Sequence, residues 1–309
     1  QNSEQLDSHI RELAVCHETG FEKAIFNARS RHRVATPADV EQYLNSESPD
    51  RQVSALRAIG EMGHRSLLAH CHNNLRSDDE NLRFWAAWSA VLVGDKTAAE
   101  SLKPFVEAES PHAYRAMYLA PRALEAESCR AWLRELAQSE MTRRLALIGC
   151  GIAGDPMYVP TLIHQMKIPE YARVAGEAFS MITGVDLAYE DLDAEWPDGF
   201  EAGPSEDPAD DNVELDPDED LPWPNAELIQ QWWDRNGRNF RQGTRYLCGE
   251  PISEASCRRV LVDGFQRQRI SAALELAIMK ADEPLFEWRA PGFRQQEWLG
   301  LRTPRRRAS

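Results

Sequence analysis

Apolar and small residues recur along this chain at helical spacing, and they do so in a repeating block. Residues 83–95 read RFWAAWSAVLVGD, and at an offset of 60, residues 143–155 read RRLALIGCGIAGD. The same pattern stands in residues 52–63, QVSALRAIGEMG, and in residues 173–184, RVAGEAFSMITG. Glycines 63, 94, 154 and 184 therefore fall on a period of about 30 residues, which is the signature of a stacked repeat. One unit is degenerate: residues 113–124, AYRAMYLAPRAL, are helical but carry no closing glycine. Late in the chain, residues 269–279, RISAALELAIM, show the small-residue pattern again.

A period of this length, with two helical patterns and a glycine between them, predicts an all-α fold, a HEAT-like α-solenoid of degenerate helical hairpins. No strand-like alternation of comparable length competes. Small residues such as Ala55, Ala86 and Ala146 let neighbouring helices approach, and the glycine after each helix takes the left-handed cap conformation without a Cβ penalty. Start signals agree: Ser48-Pro49, Ser110-Pro111 and Asp155-Pro156 each set a capping side chain before a proline, and Ser77 with Glu80 fits a capping box. Upstream, Leu6, Ile10, Leu13, His17, Phe21 and Ile25 make one apolar helical face, and Thr36-Pro37 opens a short helix through Leu44. The expected layout is N-terminal capping helices over 1–47, repeats over 48–187, an acidic Pro-rich loop over 188–224, a C-terminal helical part completing the solenoid over 225–300, and a basic tail over 301–309.

The repeat disposes of a decoy. Residues 149–154, GCGIAG, match G-x-G-x-x-G after an apolar run. A dinucleotide site needs a strand before the motif and a helix after it. Here the match falls in register with the helix end at Gly94.

Charge changes the picture next. The 309 residues carry 50 acids and 35 bases, a net −15. Sixteen of those acids lie in residues 186–220, which contain no Lys or Arg; the remainder, with 34 acids and 35 bases, is nearly neutral. The stretch also holds Pro197, Pro204, Pro208 and Pro217, with Pro222 and Pro224 just beyond, together with Trp196, Phe200 and Trp223. High charge and proline favour a loop, whereas the aromatics suggest that its ends are pinned. Three readings stand: a solvated loop, a recognition surface for a basic partner that imitates nucleic-acid phosphates, and a calcium loop. The last rests on Asp216, Asp218, Asp220 and Glu227 at EF-hand spacing, but Leu221 replaces the required glycine. The expected partner-binding residues are Glu206, Asp207, Asp210, Asp211, Glu214, Asp216, Asp218, Glu219 and Asp220, with Trp196 and Trp223 at the flanks.

Other constellations carry less. The acidic balance argues against nucleic acid as a direct ligand, the basic cluster being confined to Arg302, Arg305, Arg306 and Arg307. No apolar run is long enough to span a membrane, and the start of the chain lacks the pattern of a signal peptide. Cysteines 16, 71, 129, 150, 248 and 257 are scattered without a C-x-x-C pair, as expected of free thiols in the cytoplasm. His70-Cys71-His72 splays its outer pair to different sides of a helix, so no metal site is expected. No serine sits in a nucleophile elbow and no histidine in a catalytic context. No catalytic residue, cofactor or metal is therefore assigned, and a monomer is the expected state. Trp232, Trp233, Phe240, Tyr246 and Leu247 form an aromatic block that reads either as core under the C-terminal helices or as an exposed hot spot.

Taken together, RFWAAWSAVLVGD, the ITGVDL of residues 182–187, LPWPNAELIQQWW of 221–233, FRQGTRYLCGEP of 240–251 and QRQRISAALELAI of 266–278 resemble a HEAT-repeat-like family encoded in bacterial type VI secretion clusters. The block 221–251 is the most specific part. The resemblance implies a cytoplasmic protein that binds a secreted effector. It would act either as an immunity protein neutralising a basic toxin such as a nuclease, or as an adaptor or chaperone that loads the effector onto the spike. A HEAT-like DNA glycosylase is the enzymatic alternative, and it would need a positive concave face.

Overall fold

The computed structural model describes residues 21–108, 110–203 and 215–301. It is an all-α solenoid; the strands among the described residues are one two-residue pair, Tyr246–Leu247 with Glu250–Pro251. The chain forms two compact units. One comprises the residues up to Leu124 together with those from Cys257 on, and the other is Glu125–Ser256. The N-terminal positions Leu6 to His17, Cys16 and the arginines from 302 on lie outside the described residues.

The first unit begins with α1 (Phe21–Arg31), α2 (Pro37–Leu44) and α3 (Pro49–Met62), followed by α4 (Leu68–Asn74) and α5 (Glu80–Leu92). A 3-10 turn (Lys96–Leu102), α6 (Lys103–Glu107) and α7 (Ala113–Ala123) complete its first part. Helices α3 and α5 pack along their length, with Ala55, Ala58, Ala86 and Ala90 fully buried. The Ser89 hydroxyl donates to the Leu56 carbonyl at 2.6 Å across that seam. Thr36 and Asp39 form a reciprocal capping box at the start of α2. The Ser77–Glu80 box does not form. Asp79 caps α5 by accepting from the Leu82 N–H at 3.0 Å, because an ionised carboxylate beside the helix start is the stronger acceptor. Ser48 precedes Pro49 as expected but makes no side-chain cap bond. The degenerate unit is α7, which contains Pro121 and ends at an extended Leu124, where the division between units falls.

From Cys257 onward the chain contributes α14 (Gln266–Met279) to this same unit, packed on α5 and α7. The preceding helix, α13 (Glu254–Asp263), leads into it, and α15 (Gly292–Trp298) follows. The α14–α7 seam encloses an ion pair. Arg122 reaches Glu275 at 2.5 Å and the Ser271 hydroxyl at 2.8 Å, and its Nε donates to the Tyr118 carbonyl at 2.8 Å. Both charged side chains are almost wholly buried.

The second unit holds α8 (Ala126–Leu136), α9 (Glu140–Ala153), α10 (Val159–Gln165), α11 (Pro169–Thr183) and α12 (Ala226–Asn236). The glycine run that imitates a nucleotide loop lies within α9 and at its cap. A Cβ on Gly151 would stand 2.9 Å from the Ala178 Cα, so this glycine lets α9 and α11 touch. Gly154 ends α9 at φ 72°, and a Cβ there would sit 2.4 Å from the Tyr246 carbonyl oxygen.

That contact arises because residues 245–249 cross the C-termini of α9 and α11. The N–H groups of Tyr246, Cys248 and Gly249 donate to Gly154, Met181 and Ile182 carbonyls at 2.8, 2.8 and 3.0 Å. Arg245 Nε donates to the Ala153 carbonyl at 3.0 Å. Carbonyls that a helix end leaves unpaired are thus satisfied, and a cation meets the negative end of the helix dipole. The aromatic block packs beneath this strap, with Trp232 against Phe179 at 5.7 Å and Phe240 against Tyr246 at 5.2 Å between ring centres.

Candidate functional site

In the second unit the acidic stretch leaves α11 and returns at α12, and its neck is closed by backbone pairing. The Ala194 N–H donates to the Trp223 carbonyl and the Asn225 N–H to the Leu192 carbonyl, both at 2.8 Å. Beyond the neck, Trp196, Phe200 and Trp223 form a three-ring cluster with centroids 5.2 to 5.7 Å apart. The Arg173 guanidinium of α11 lies over Trp196 at 4.7 Å and over Trp223 at 5.6 Å.

Arg173 also grips Asp216 through two parallel bonds of 2.7 and 3.0 Å and donates to the Asp218 carbonyl at 2.8 Å. Arg144 of α9 holds the Asp218 carboxylate with bonds of 2.8 and 2.5 Å. Two of the expected partner-binding acids are therefore turned inward onto the repeat helices. Asp218 is only 5% exposed. Desolvation acts to raise the Asp216 pKa, but the Arg173 fork, the Asp218 N–H and the charge of Arg144 outweigh it and hold the carboxyl below its ordinary value. The calcium-like spacing is explained the same way: the carboxylates of its first and third positions already chelate guanidinium groups. The signal available in the sequence was the arginine at or next to the head of two repeat blocks, Arg144 in RRLALIGCGIAGD and Arg173 in RVAGEAFSMITG.

Of the other expected residues, Glu219 and Asp220 are exposed, Trp196 is 48% exposed and Trp223 is half-buried. Glu206, Asp207, Asp210, Asp211 and Glu214 lie outside the described residues. Exposed carboxylates also line the near side of the segment at Glu190, Asp191, Asp193, Glu195, Asp198 and Glu201. Standing out among the acids are Tyr189, 84% exposed, and Leu215, 78% exposed.

The first unit contains a second candidate, a cavity of about 380 Å³. Helices α3, α5, α7 and α14 and the segment after α14 all contribute to its wall. Trp85 and Trp88 form its floor and are nearly buried; Tyr114, Tyr118 and Trp288 add further aromatic surface. Arg57 and Arg115 lie over Trp85, at 4.9 and 5.8 Å from the ring centre. Glu61 is enclosed by Arg57 Nε at 2.7 Å and Arg33 at 2.9 Å. Burial works to raise the Glu61 pKa, and the two guanidiniums reverse this and keep it lowered. Aromatics and arginines brought together from positions 33 to 289 could not be grouped from sequence spacing.

The remaining sequence candidates are structural. His72 Nε2 pairs with Asp95 at 2.8 Å, whereas Cys71 is buried between the two histidines in sequence, its thiol pushed up to about 12 by desolvation. A thiol held neutral is a poor nucleophile and metal ligand. Among the described residues no group of three His, Cys, Asp or Glu side chains could hold a metal ion, and no helix is long and apolar enough to cross a membrane.

Paired helices, glycine-capped and closely packed, with charged and aromatic side chains presented at their surfaces, define a helical-repeat protein-interaction module. A family model for HEAT repeats matches residues 37–120, from the start of α2 into α7. Neither a curated protein nor a solved structure matches the chain.

Proposed function

We propose that this protein is a non-catalytic, cytoplasmic immunity protein that binds and neutralises a cognate type VI effector toxin, one with a basic active site such as a nuclease's. The observation that carries this reading is the make-up of the anchored acidic segment. Exposed carboxylates from Glu190 to Glu201 and at Glu219 and Asp220 surround the exposed Tyr189, Trp196 and Leu215. Dense negative charge steers a basic partner and sets its orientation, while protruding aromatic side chains supply the desolvated anchors on which protein interfaces depend. Arg144 and Arg173 support the surface from behind, so it is offered on a fixed base and loses less freedom on binding.

The test is co-expression with the toxin encoded beside it. The native chain should rescue growth and bind the toxin with an affinity that falls as salt rises. A variant with Glu190, Glu195, Glu201, Glu219 and Asp220 changed to Gln or Asn should bind more weakly and lose that salt dependence. Full rescue by the variant would refute the charge mechanism. Failure of the native chain to protect, combined with loss of effector secretion on deletion, would replace immunity with an adaptor role.

A further inference from the structure

The cavity of the first unit presents two arginines that the fold leaves without an ion pair. Glu61 is saturated by Arg33 and Arg57. Glu287 faces Arg33 at 3.7 Å and accepts the Arg289 backbone N–H at 3.1 Å. Arg115 and Arg289 line the same cavity, and among the described residues neither guanidinium pairs with a carboxylate or donates a hydrogen bond. Partial burial and then the charges of Arg57 and Arg289 lower the Arg115 pKa, and the charge of Glu61 opposes them. In a chain with 15 more acids than bases, a cleft lined by Arg33, Arg57, Arg115 and Arg289 against only Glu61 and Glu287, both of which already face Arg33, carries net positive charge and suits an anion.

The surroundings of the pair are aromatic: Trp85, Trp88, Tyr114, Tyr118 and Trp288 line the same cavity. Stacking over Trp85 accounts for the position of Arg57 and in part of Arg115, but not for Arg289.

We propose that this cavity binds an oxyanion, a carboxylate or phosphate monoester, carried on an aromatic or flat apolar body. The forks of Arg115 and Arg289 match either oxyanion. Tyr114 and Trp288 offer aromatic surface to the apolar part. The volume of about 380 Å³ lies in the range of small-ligand pockets.

Titration calorimetry on the full chain tests this with phenyl phosphate, phenylacetate, inorganic phosphate and benzylamine as probes. At least one aromatic anion should bind at one site per chain, and inorganic phosphate should bind about tenfold or more weakly, lacking the apolar contact. Benzylamine should not bind. Phenyl phosphate ahead of phenylacetate would assign a phosphate ligand and the reverse order a carboxylate; either supports the site. Arg115→Gln and Arg289→Gln should each weaken binding about tenfold. Arg289 is exposed and makes no side-chain hydrogen bond, so Arg289→Gln should leave the thermal midpoint where it is; Arg115→Gln should lower it slightly, by the loss of its contact with Trp85. The site is overturned if neither aromatic anion binds below about 10 mM, if the arginine variants bind like the native chain, or if benzylamine binds as well as the anions. Such a failure leaves the acidic surface of the other unit untouched.

Discussion

Replacing Arg173 by Ala should release the acidic segment from the repeat helices. The native side chain is 4% exposed, makes two parallel charge-assisted bonds to Asp216 and a third to the Asp218 carbonyl, and covers two indole rings. Its loss strands a largely buried carboxylate, for which about 3–5 kcal/mol is the usual cost. Because Arg144 still holds Asp218, the opening should be local. At about 1.4 kcal/mol per tenfold, that cost corresponds to a rise in local opening of roughly two to three and a half orders of magnitude. Amide hydrogen exchange measured by mass spectrometry reads this directly. The Ala194, Asp218, Leu221 and Asn225 N–H groups, which close the neck and the Asp216 turn, should exchange faster by that factor. The amides of α9 should change little. Arg173→Lys should fall between the two, since it keeps the charge and loses the fork. Less than tenfold acceleration in Arg173→Ala would refute the view that this arginine anchors the segment.

Further outcomes follow from the same contacts. Gly154→Ala combines a left-handed φ with a contact of 2.4 Å to the Tyr246 oxygen; it should cost roughly 2–4 kcal/mol in denaturant unfolding. Arg122→Met or Glu275→Leu alone should each cost about 3–5 kcal/mol, whereas the double variant should cost less than either, because no unpaired charge is left buried. Asp216 and Glu61 both have folded-state pKa values below their ordinary ones. Each therefore contributes stability that is present above its unfolded pKa and lost as pH falls through its folded one. Thermal midpoints should drop as pH is lowered below about 4, and Asp216→Asn with Glu61→Gln should flatten that acid limb.

Repetition at about 30 residues and the 3.6-residue period of apolar positions are local properties, and the sequence alone was enough to read helices, their glycine ends and the identity of GCGIAG as a helix terminus. The concentration of acid in residues 186–220 was equally plain. Other features depended on positions far apart in the chain. No spacing rule links Arg173 to Asp216, Arg122 to Glu275, or Trp85 to Arg289, because helix packing rather than local periodicity brings them together. Among the described acids of the run, packing decided the orientation as well: a charge run tells how much charge is present, while the guanidiniums of Arg144 and Arg173 draw Asp216 and Asp218 inward and leave Glu219 and Asp220 exposed.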